Sequence, residues 1–162
     1  MKIIIIGKGH GWQLAPLRGE IWGVNDLILR RPVKRTFDMH ILGSWKQLQI
    51  DTREKALQTG ILTTLDNYPI DEIKEFFKTD YFSSSIDYMI ALAIYEGATS
   101  IDMYGVNLEV EFEWKDQKPG ADYWCGQAMG RGIEVNVYGK TSTIMKTRDG
   151  FLYGYLTKQE TN

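Results

Sequence analysis

A glycine-rich turn, Gly7 to Gly11, ends the first apolar run of the chain and is the strongest chemical signal in the sequence. Its glycines alternate with Lys8 and His10, which can donate hydrogen bonds to an anion. A backbone without Cβ atoms can approach a phosphate closely and present N–H groups to it, as a helix N-terminus does. We therefore expect Gly7, Lys8, Gly9, His10 and Gly11 to bind a ligand.

The turn differs from the dinucleotide-binding fingerprint G-x-G-x-x-G at one position. Trp12 stands where the third glycine belongs, which disfavours NAD, and no cofactor is predicted. The competing interpretation is a tight connection between a strand and a helix that binds nothing.

Polar side chains follow the second and third apolar runs. Asn25 and Asp26 lie near the spacing of a ribose-binding residue, and a helix cap is the alternative for both. Asp38 and His40 share one face of an extended chain, where the carboxylate could orient the imidazole for acid–base chemistry. The alternative for His40 is a surface or packing histidine.

A serine run opens the clearest helical pattern of the chain. The hydroxyls of Ser83, Ser84 and Ser85, together with the free N–H groups of a first helical turn, could bind a phosphate or carboxylate. Helix capping explains one of these serines and leaves two over.

Three glutamates, Glu109, Glu111 and Glu113, alternate with apolar residues. This period of two predicts an extended segment, either a strand or an ordered loop, with an acidic edge. Such carboxylates can hold magnesium, but a solvated face is more common and no metal site is predicted. Glu111 is a candidate general base, as are Asp38 and His40.

Aromatic residues are plentiful around the predicted site, and a purine could stack on them. Core packing is the competing role for most of them. Tyr88 and Tyr104, with Trp12, join the predicted ligand contacts, as do Gly105 and Asn107 after a later strand. The full aromatic set is Trp12, Tyr88, Tyr104, Trp114, Tyr123 and Trp124.

Alternating strands and helices predict the scaffold. The predicted strands are Ile3–Ile6, Glu20–Val24, Arg35–Phe37, Ile61–Thr64, Ser100–Tyr104 and Ile133–Val137. The predicted helices are Ile70–Phe77, Ser84–Glu96 and Pro119–Arg131. This order is typical of an α/β, Rossmann-like, three-layer fold with a mostly parallel sheet and helices on both faces. Ligands of such sheets bind at the carboxyl ends of the strands, where the candidate residues collect.

Composition limits the function classes. A length of 162 residues with 43% apolar content predicts a single domain over 1–162. The net charge of -2 disfavours nucleic acid as a partner. Cys125 is the single cysteine, which excludes an internal disulfide and indicates a reducing compartment. The opening isoleucines are too few for a signal peptide or membrane span, so we expect a cytoplasmic protein.

Seven motifs along the chain form a recognisable set: Gly7–Gly9, Trp22–Asp26, Phe37–His40, Ser83–Gly97, Met103–Asn107, Tyr123–Trp124 and Gly130–Ile133. As a set, these motifs resemble those of small Rossmann-like proteins of phage and prophage genomes. The serine block and the strand tip after it are also similar to those of bacterial sialyltransferases and of motility accessory factor and pterin diphosphokinase-like proteins. Those proteins handle nucleotides or nucleotide sugars, and many have aspartate where this chain has Asn107.

Three functions follow from these patterns. The first is a phage-type protein of the host cytoplasm that binds a nucleotide-derived small molecule and sequesters a host defence signal. The second is a transferase that uses a nucleotide sugar or similar activated donor. The third is a structural or assembly protein in which the glycine turn serves the fold alone. Gly126 and Gly130, four apart on a predicted helix, leave room for a homodimer.

Overall fold

A computed structural model of the chain describes residues 1–41, 43 and 46–147. Its strands are β1 (Lys2–Ile6), β2 (Glu20–Val24), β3 (Arg35–Phe37), β4 (Ile61–Thr63), β5 (Ser100–Tyr104) and β6 (Glu134–Tyr138). Its α-helices are α1 (Lys46–Thr59), α2 (Ile70–Phe77), α3 (Ser85–Tyr95) and α4 (Lys118–Met129). Short 3-10 helices cover Trp12–Leu14 and Asn25–Leu29, and a π-helical turn covers Glu113–Gln117.

All six strands are parallel and form one sheet in the order β4-β3-β2-β1-β5-β6. The chain runs outward from β1 to β4 and then returns to the other side of β1. The strand order therefore reverses between β1 and β5. Ile6 lies opposite Gly23 of β2 and opposite Tyr104 of β5, so the residues after these strands meet at one edge.

The isoleucines of β1 serve both faces of the sheet, as a continuous β-branched run predicts. Ile3 and Ile5 pack into the larger core with α3 and α4, whereas Ile4 and Ile6 pack into a second core on the opposite face. The 3-10 helix Asn25–Leu29 covers that second face, and α1 packs on this 3-10 helix and on β4. This architecture confirms the predicted Rossmann-like α/β fold.

One helix has no counterpart in the sequence prediction. The buried side chains of α1 are Thr52 and Ala56, so the helix has no apolar stripe from which its period could be read. Neighbouring Leu57 is 69% exposed.

The predicted extended segment from Glu109 to Trp114 is wrong. The Trp114 N–H donates to the carbonyl of Val110 at 2.9 Å, the spacing of an α-helical turn, and the π-helical turn then continues into α4. Apolar residues at alternate positions there do not face a sheet, because the chain is helical.

Gly126 has open space beside it within the described chain. A Cβ added there would meet nothing within 4 Å, and the homodimer at this face stays a prediction. Within the described residues, no helix is both long and apolar enough to cross a membrane.

Candidate functional site

A cleft of about 800 Å³ lies where the tips of β1, β2 and β5 meet. Its lining comprises Gly7, Lys8, Gly9, His10, Val24, Asn25, Met39, His40, Phe82, Ser83, Ser84, Ser85, Ile86, Tyr88, Gly105, Val106, Asn107, Leu108, Glu109, Val110, Glu113 and Gln117. Most of the predicted ligand contacts lie in this lining. Those that do not are Gly11, Trp12, Asp26 and Tyr104, and the candidate bases Asp38 and Glu111 also lie outside it.

The glycine turn is packed against the tip of β5. The Gly7 N–H donates to the carbonyl of Tyr104 at 2.9 Å, and the Gly9 N–H donates to the carbonyl of Gly105 at 2.8 Å. A Cβ on Gly7 would lie 2.4 Å from the Gly105 oxygen. These two N–H groups are therefore occupied, and the glycines allow two backbones to touch.

The turn also lacks the helix that the phosphate argument assumed. It leads into Trp12–Leu14, a single 3-10 turn, which supplies no α-helix dipole at this point. An anion in the cleft therefore has neither a helix dipole at this turn nor the N–H groups of Gly7 and Gly9 to bind it.

Asp26 is held between two cations behind the cleft. Its carboxylate lies 2.5 Å from Lys8 Nζ and 3.0 Å from a guanidinium nitrogen of Arg30. Burial acts to raise the pKa of Asp26, but the hydrogen bond from Lys8 and the charges of Lys8 and Arg30 outweigh it and lower that pKa. Asp26 thus orients Lys8, whose side chain is 40% exposed and lines the cleft.

Asp38 and His40 are brought together, but a third residue dominates the pair. Arg53 of α1 donates to Asp38 at 2.6 Å and to the His40 carbonyl at 2.9 Å. His40 Nδ1 is 3.5 Å from Asp38, and its side chain is 59% exposed. Asp38 therefore connects the β3 tip to α1 through its ion pair with Arg53. Of Asp38 and His40, only His40 lines the cleft.

The serine run surrounds a buried carboxylate, that of Asp87. Its oxygens accept from the Ser83 N–H at 2.6 Å and hydroxyl at 3.0 Å, and from the Ser84 N–H at 3.2 Å and hydroxyl at 2.8 Å. Ser84 in turn caps the Asp87 N–H, which completes a capping box. Two of the three serines therefore serve Asp87, and Ser85 remains for a ligand.

Asp87 is fully buried. Burial raises its pKa, although the hydrogen bonds from Ser83 and Ser84 act in the opposite direction. Gly120 of α4 makes this packing feasible, because a Cβ there would lie 2.2 Å from Asp87 Oδ2 and from Ser83 Oγ. The sequence signal for this cluster is the S-x-x-D spacing from Ser84 to Asp87.

The aromatic residues divide between the two faces of the sheet. Phe82 stacks on Tyr88 with ring centroids 4.5 Å apart and on Trp124 at 5.0 Å. Phe82 and Tyr88 both line the cleft. Tyr104 stacks on Tyr138 with ring centroids 4.4 Å apart and belongs to the second core. Trp12 packs against that same core.

The acidic wall of the cleft was missed from the sequence. Glu109 and Glu113 both line the cleft, and Asn107 donates to Glu109 at 2.7 Å. Their spacing was interpreted as one solvated edge of an extended segment, and the helical turn between them hides their convergence. No three histidine, cysteine, aspartate or glutamate side chains of residues 1–41, 43 and 46–147 are grouped as metal ligands.

Asn25 has an unusual backbone and an unpartnered side chain. Its φ is 49°, in the left-handed region, and its buried Oδ1 has no hydrogen-bond partner among the described residues. Asparagine tolerates this conformation better than most residues. Cys125, by contrast, is buried, and burial raises the pKa of its thiol to about 12.

Comparison with known proteins gives a distant likeness in fold. No protein-family profile matches the chain, and no curated protein sequence does. Among solved structures, a point mutant of the α-2,3/8-sialyltransferase CstII aligns at TM-score 0.41 and 12% identity over 85% of this chain and 81% of that one. The sialyltransferase CstII from Campylobacter jejuni, in complex with the substrate analogue CMP-3FNeuAc, aligns at TM-score 0.36 and 12% identity over 85% and 78%.

Proposed function

We propose that the protein binds a nucleotide or nucleotide-derived small molecule in the cleft at the β1, β2 and β5 tips. The observation that carries this proposal is the position of the cleft at the reversal of strand order between β1 and β5. Open α/β sheets bind ligands at this point, because connections diverge to opposite faces there and leave a crevice. The volume of about 800 Å³ falls in the range of small-molecule sites.

The phosphate of such a ligand would be bound by Lys8 and by the first turn of α3. Lys8 has a partly exposed ammonium group with donors beyond the one used by Asp26. Ser85 and Ile86, the first two residues of α3, line the cleft, and helix geometry gives their N–H groups no intrahelical acceptor. These donors take over the role that the sequence assigned to the glycine N–H groups.

The biological role follows the resemblance to phage proteins. In a host cytoplasm, a binding protein without turnover would sequester a nucleotide signal of host defence. The ligand would then be recovered chemically unchanged from the protein.

Lys8→Gln tests the phosphate contact. We expect it to weaken binding of a ribonucleoside 5′-monophosphate about tenfold, because it removes a charge-assisted hydrogen bond. Arg30 still pairs with Asp26 at 3.0 Å, so the fold should survive. Equilibrium dialysis against AMP, CMP, GMP and UMP, followed by heat release and mass spectrometry, gives both affinity and the fate of the ligand.

Lys34→Gln is the matched control, because Lys34 forms an exposed ion pair with Glu20, 3.3 Å away, and does not line the cleft. Equal affinities for Lys8→Gln and Lys34→Gln would contradict the phosphate assignment. Failure of all four nucleotides to bind the unmodified protein would contradict the proposed function itself.

A transferase is the second candidate, favoured by one observation. His40 lines the cleft, and Asp38 lies 3.5 Å from its Nδ1, so the imidazole has a carboxylate that can orient it. A converted product in the heat-released fraction would favour this candidate over simple binding. Loss of that product in His40→Gln, with ligand affinity unchanged, would assign the base.

A further inference from the structure

Two residues that line the cleft each have a buried amide oxygen without a hydrogen-bond donor among the described residues. Of the described residues, six have a buried side-chain nitrogen or oxygen without a partner, and the two that are amide oxygens belong to Asn25 and Asn107. Both residues follow strand tips and line the cleft. A buried acceptor without a donor costs free energy, and native proteins leave few of them.

The orientation of the Asn107 amide is fixed by its surroundings. Its Nδ2 lies 2.7 Å from Glu109 Oε1, 3.0 Å from Thr141 Oγ1 and 3.3 Å from the His10 carbonyl. Turning the amide over would set its oxygen against a carboxylate and a carbonyl, neither of which can donate. The unpartnered atom is therefore the oxygen.

Asn107 also positions a charged acceptor. It is 6% exposed, and through its hydrogen bond it holds the exposed carboxylate of Glu109 at the cleft wall. The Glu109 carboxylate offers acceptors and no donor. A phosphate would be repelled from this wall, whereas hydroxyl or amino groups would be attracted.

We propose that Glu109, positioned by Asn107, forms an acceptor subsite for hydroxyl or amino groups of the ligand, such as the vicinal hydroxyls of a ribose. This rests on the proposed function in so far as the ligand is a nucleotide. The phosphate then lies toward Lys8 and α3, and the sugar lies toward the β5 tip. Glu109 binds the donors, and Asn107 is the positioning residue.

The test compares Glu109→Gln with the unmodified protein, using each ribonucleoside 5′-monophosphate and its 2′,3′-dideoxy counterpart. We expect Glu109→Gln to bind the ribonucleotide about tenfold more weakly, because a charged acceptor is lost. The dideoxy nucleotide should bind weakly to both proteins, with no further loss in Glu109→Gln. A merely structural role for Glu109 would lower both affinities alike.

Glu134→Gln is a close control. Glu134 accepts from Asn136 at 3.0 Å, an asparagine two residues away, at the opposite end of the sheet. We expect Glu134→Gln to bind both nucleotides as the unmodified protein does.

A third probe, methyl β-D-ribofuranoside, carries the hydroxyls without phosphate and separates the two proposals. It is titrated to millimolar concentration while the side-chain amide resonances of Asn107 are followed by NMR. Nucleotide binding that ignores both the ribose hydroxyls and Glu109→Gln would overturn the subsite and leave the proposed function standing. If no nucleotide binds but the ribofuranoside shifts Asn107, the subsite stands and the proposed function fails. If neither binds, both are wrong.

Discussion

Gly7→Ala is expected to lower the free energy of unfolding by about 3 kcal/mol, at the upper end of what overpacking costs. The added Cβ would lie 2.4 Å from the Gly105 carbonyl oxygen and 3.1 Å from a methyl of Val106. The nearest of these atoms belongs to the backbone of Gly105, which cannot move away by a change of rotamer. With a urea slope near 2 kcal/mol/M, the unfolding midpoint should fall by about 1.5 M.

The same substitution reports on the cleft. Relief of the contact requires β1 and β5 to separate at their tips, which breaks the bond from the Gly7 N–H to Tyr104. We therefore expect Gly7→Ala to weaken ligand binding even at temperatures where the protein remains folded.

Gly126→Ala is the appropriate control. Gly126 lies in α4, and a Cβ there would meet nothing within 4 Å. The exchange should raise the free energy of unfolding by about 0.5–1 kcal/mol, the usual gain of alanine over glycine in a helix. A stability of Gly7→Ala equal to that of Gly126→Ala would show that the strand tips do not touch as described.

The strands could be predicted because their signals are local. The run Ile3–Ile6 is buried on both faces of the sheet, and a continuous run of β-branched residues is typical of such a strand. For α3, the serine cap and the spacing of Ile86, Met89 and Ile90 were equally direct. The helix α1 has no apolar stripe in its sequence, because the residues that it buries are Thr52 and Ala56.

The site could be predicted only as far as the topology carries it. Parallel strands bring their carboxyl ends to one edge, and this rule alone collects Lys8, Asn25, His40 and Asn107 in the cleft. The rule does not reveal which donors are already occupied. That the Gly9 N–H is bonded to Gly105 depends on a contact between residues far apart in sequence.

Asp87 illustrates the same limit. The spacing between Ser84 and Asp87 predicts a capping box. The complete burial of Asp87, however, depends on the packing of α4 against it, which no local sequence pattern predicts. The approach requires Gly120, whose role becomes visible only when a Cβ is placed there.

Asp87→Ala is the second substitution with a large expected effect, a fall in the free energy of unfolding of about 3–4 kcal/mol. It removes the acceptor of two backbone N–H groups and two hydroxyls, those of Ser83 and Ser84, and leaves a cavity beside Gly120. Asp71→Ala is the control, because Asp71 is an exposed acidic residue in the first turn of α2. We expect its effect to stay below about 0.5 kcal/mol.

The raised pKa of Asp87 makes the stability difference between the unmodified protein and Asp87→Ala depend on pH. A carboxyl group whose pKa is higher in the folded than in the unfolded chain takes up a proton on folding. Its contribution to stability is fully present below the unfolded value of about 4 and is lost as the pH rises through the raised value. The stability difference between the unmodified protein and Asp87→Ala should therefore be larger at acidic than at neutral pH in urea titrations. A difference that grows with pH would mean that the hydrogen bonds from Ser83 and Ser84 outweigh burial.

Protonation of Asp87 should also be coupled to the ligand. If a phosphate lies at the first turn of α3, the buried carboxylate at the same turn repels it, and protonation of Asp87 removes that repulsion. Binding of a nucleotide should then tighten as the pH falls through the raised pKa, apart from the change in the phosphate's own charge. The corresponding nucleoside, which carries no phosphate, should bind with no such dependence, and an identical pH profile for nucleotide and nucleoside would place the phosphate away from α3.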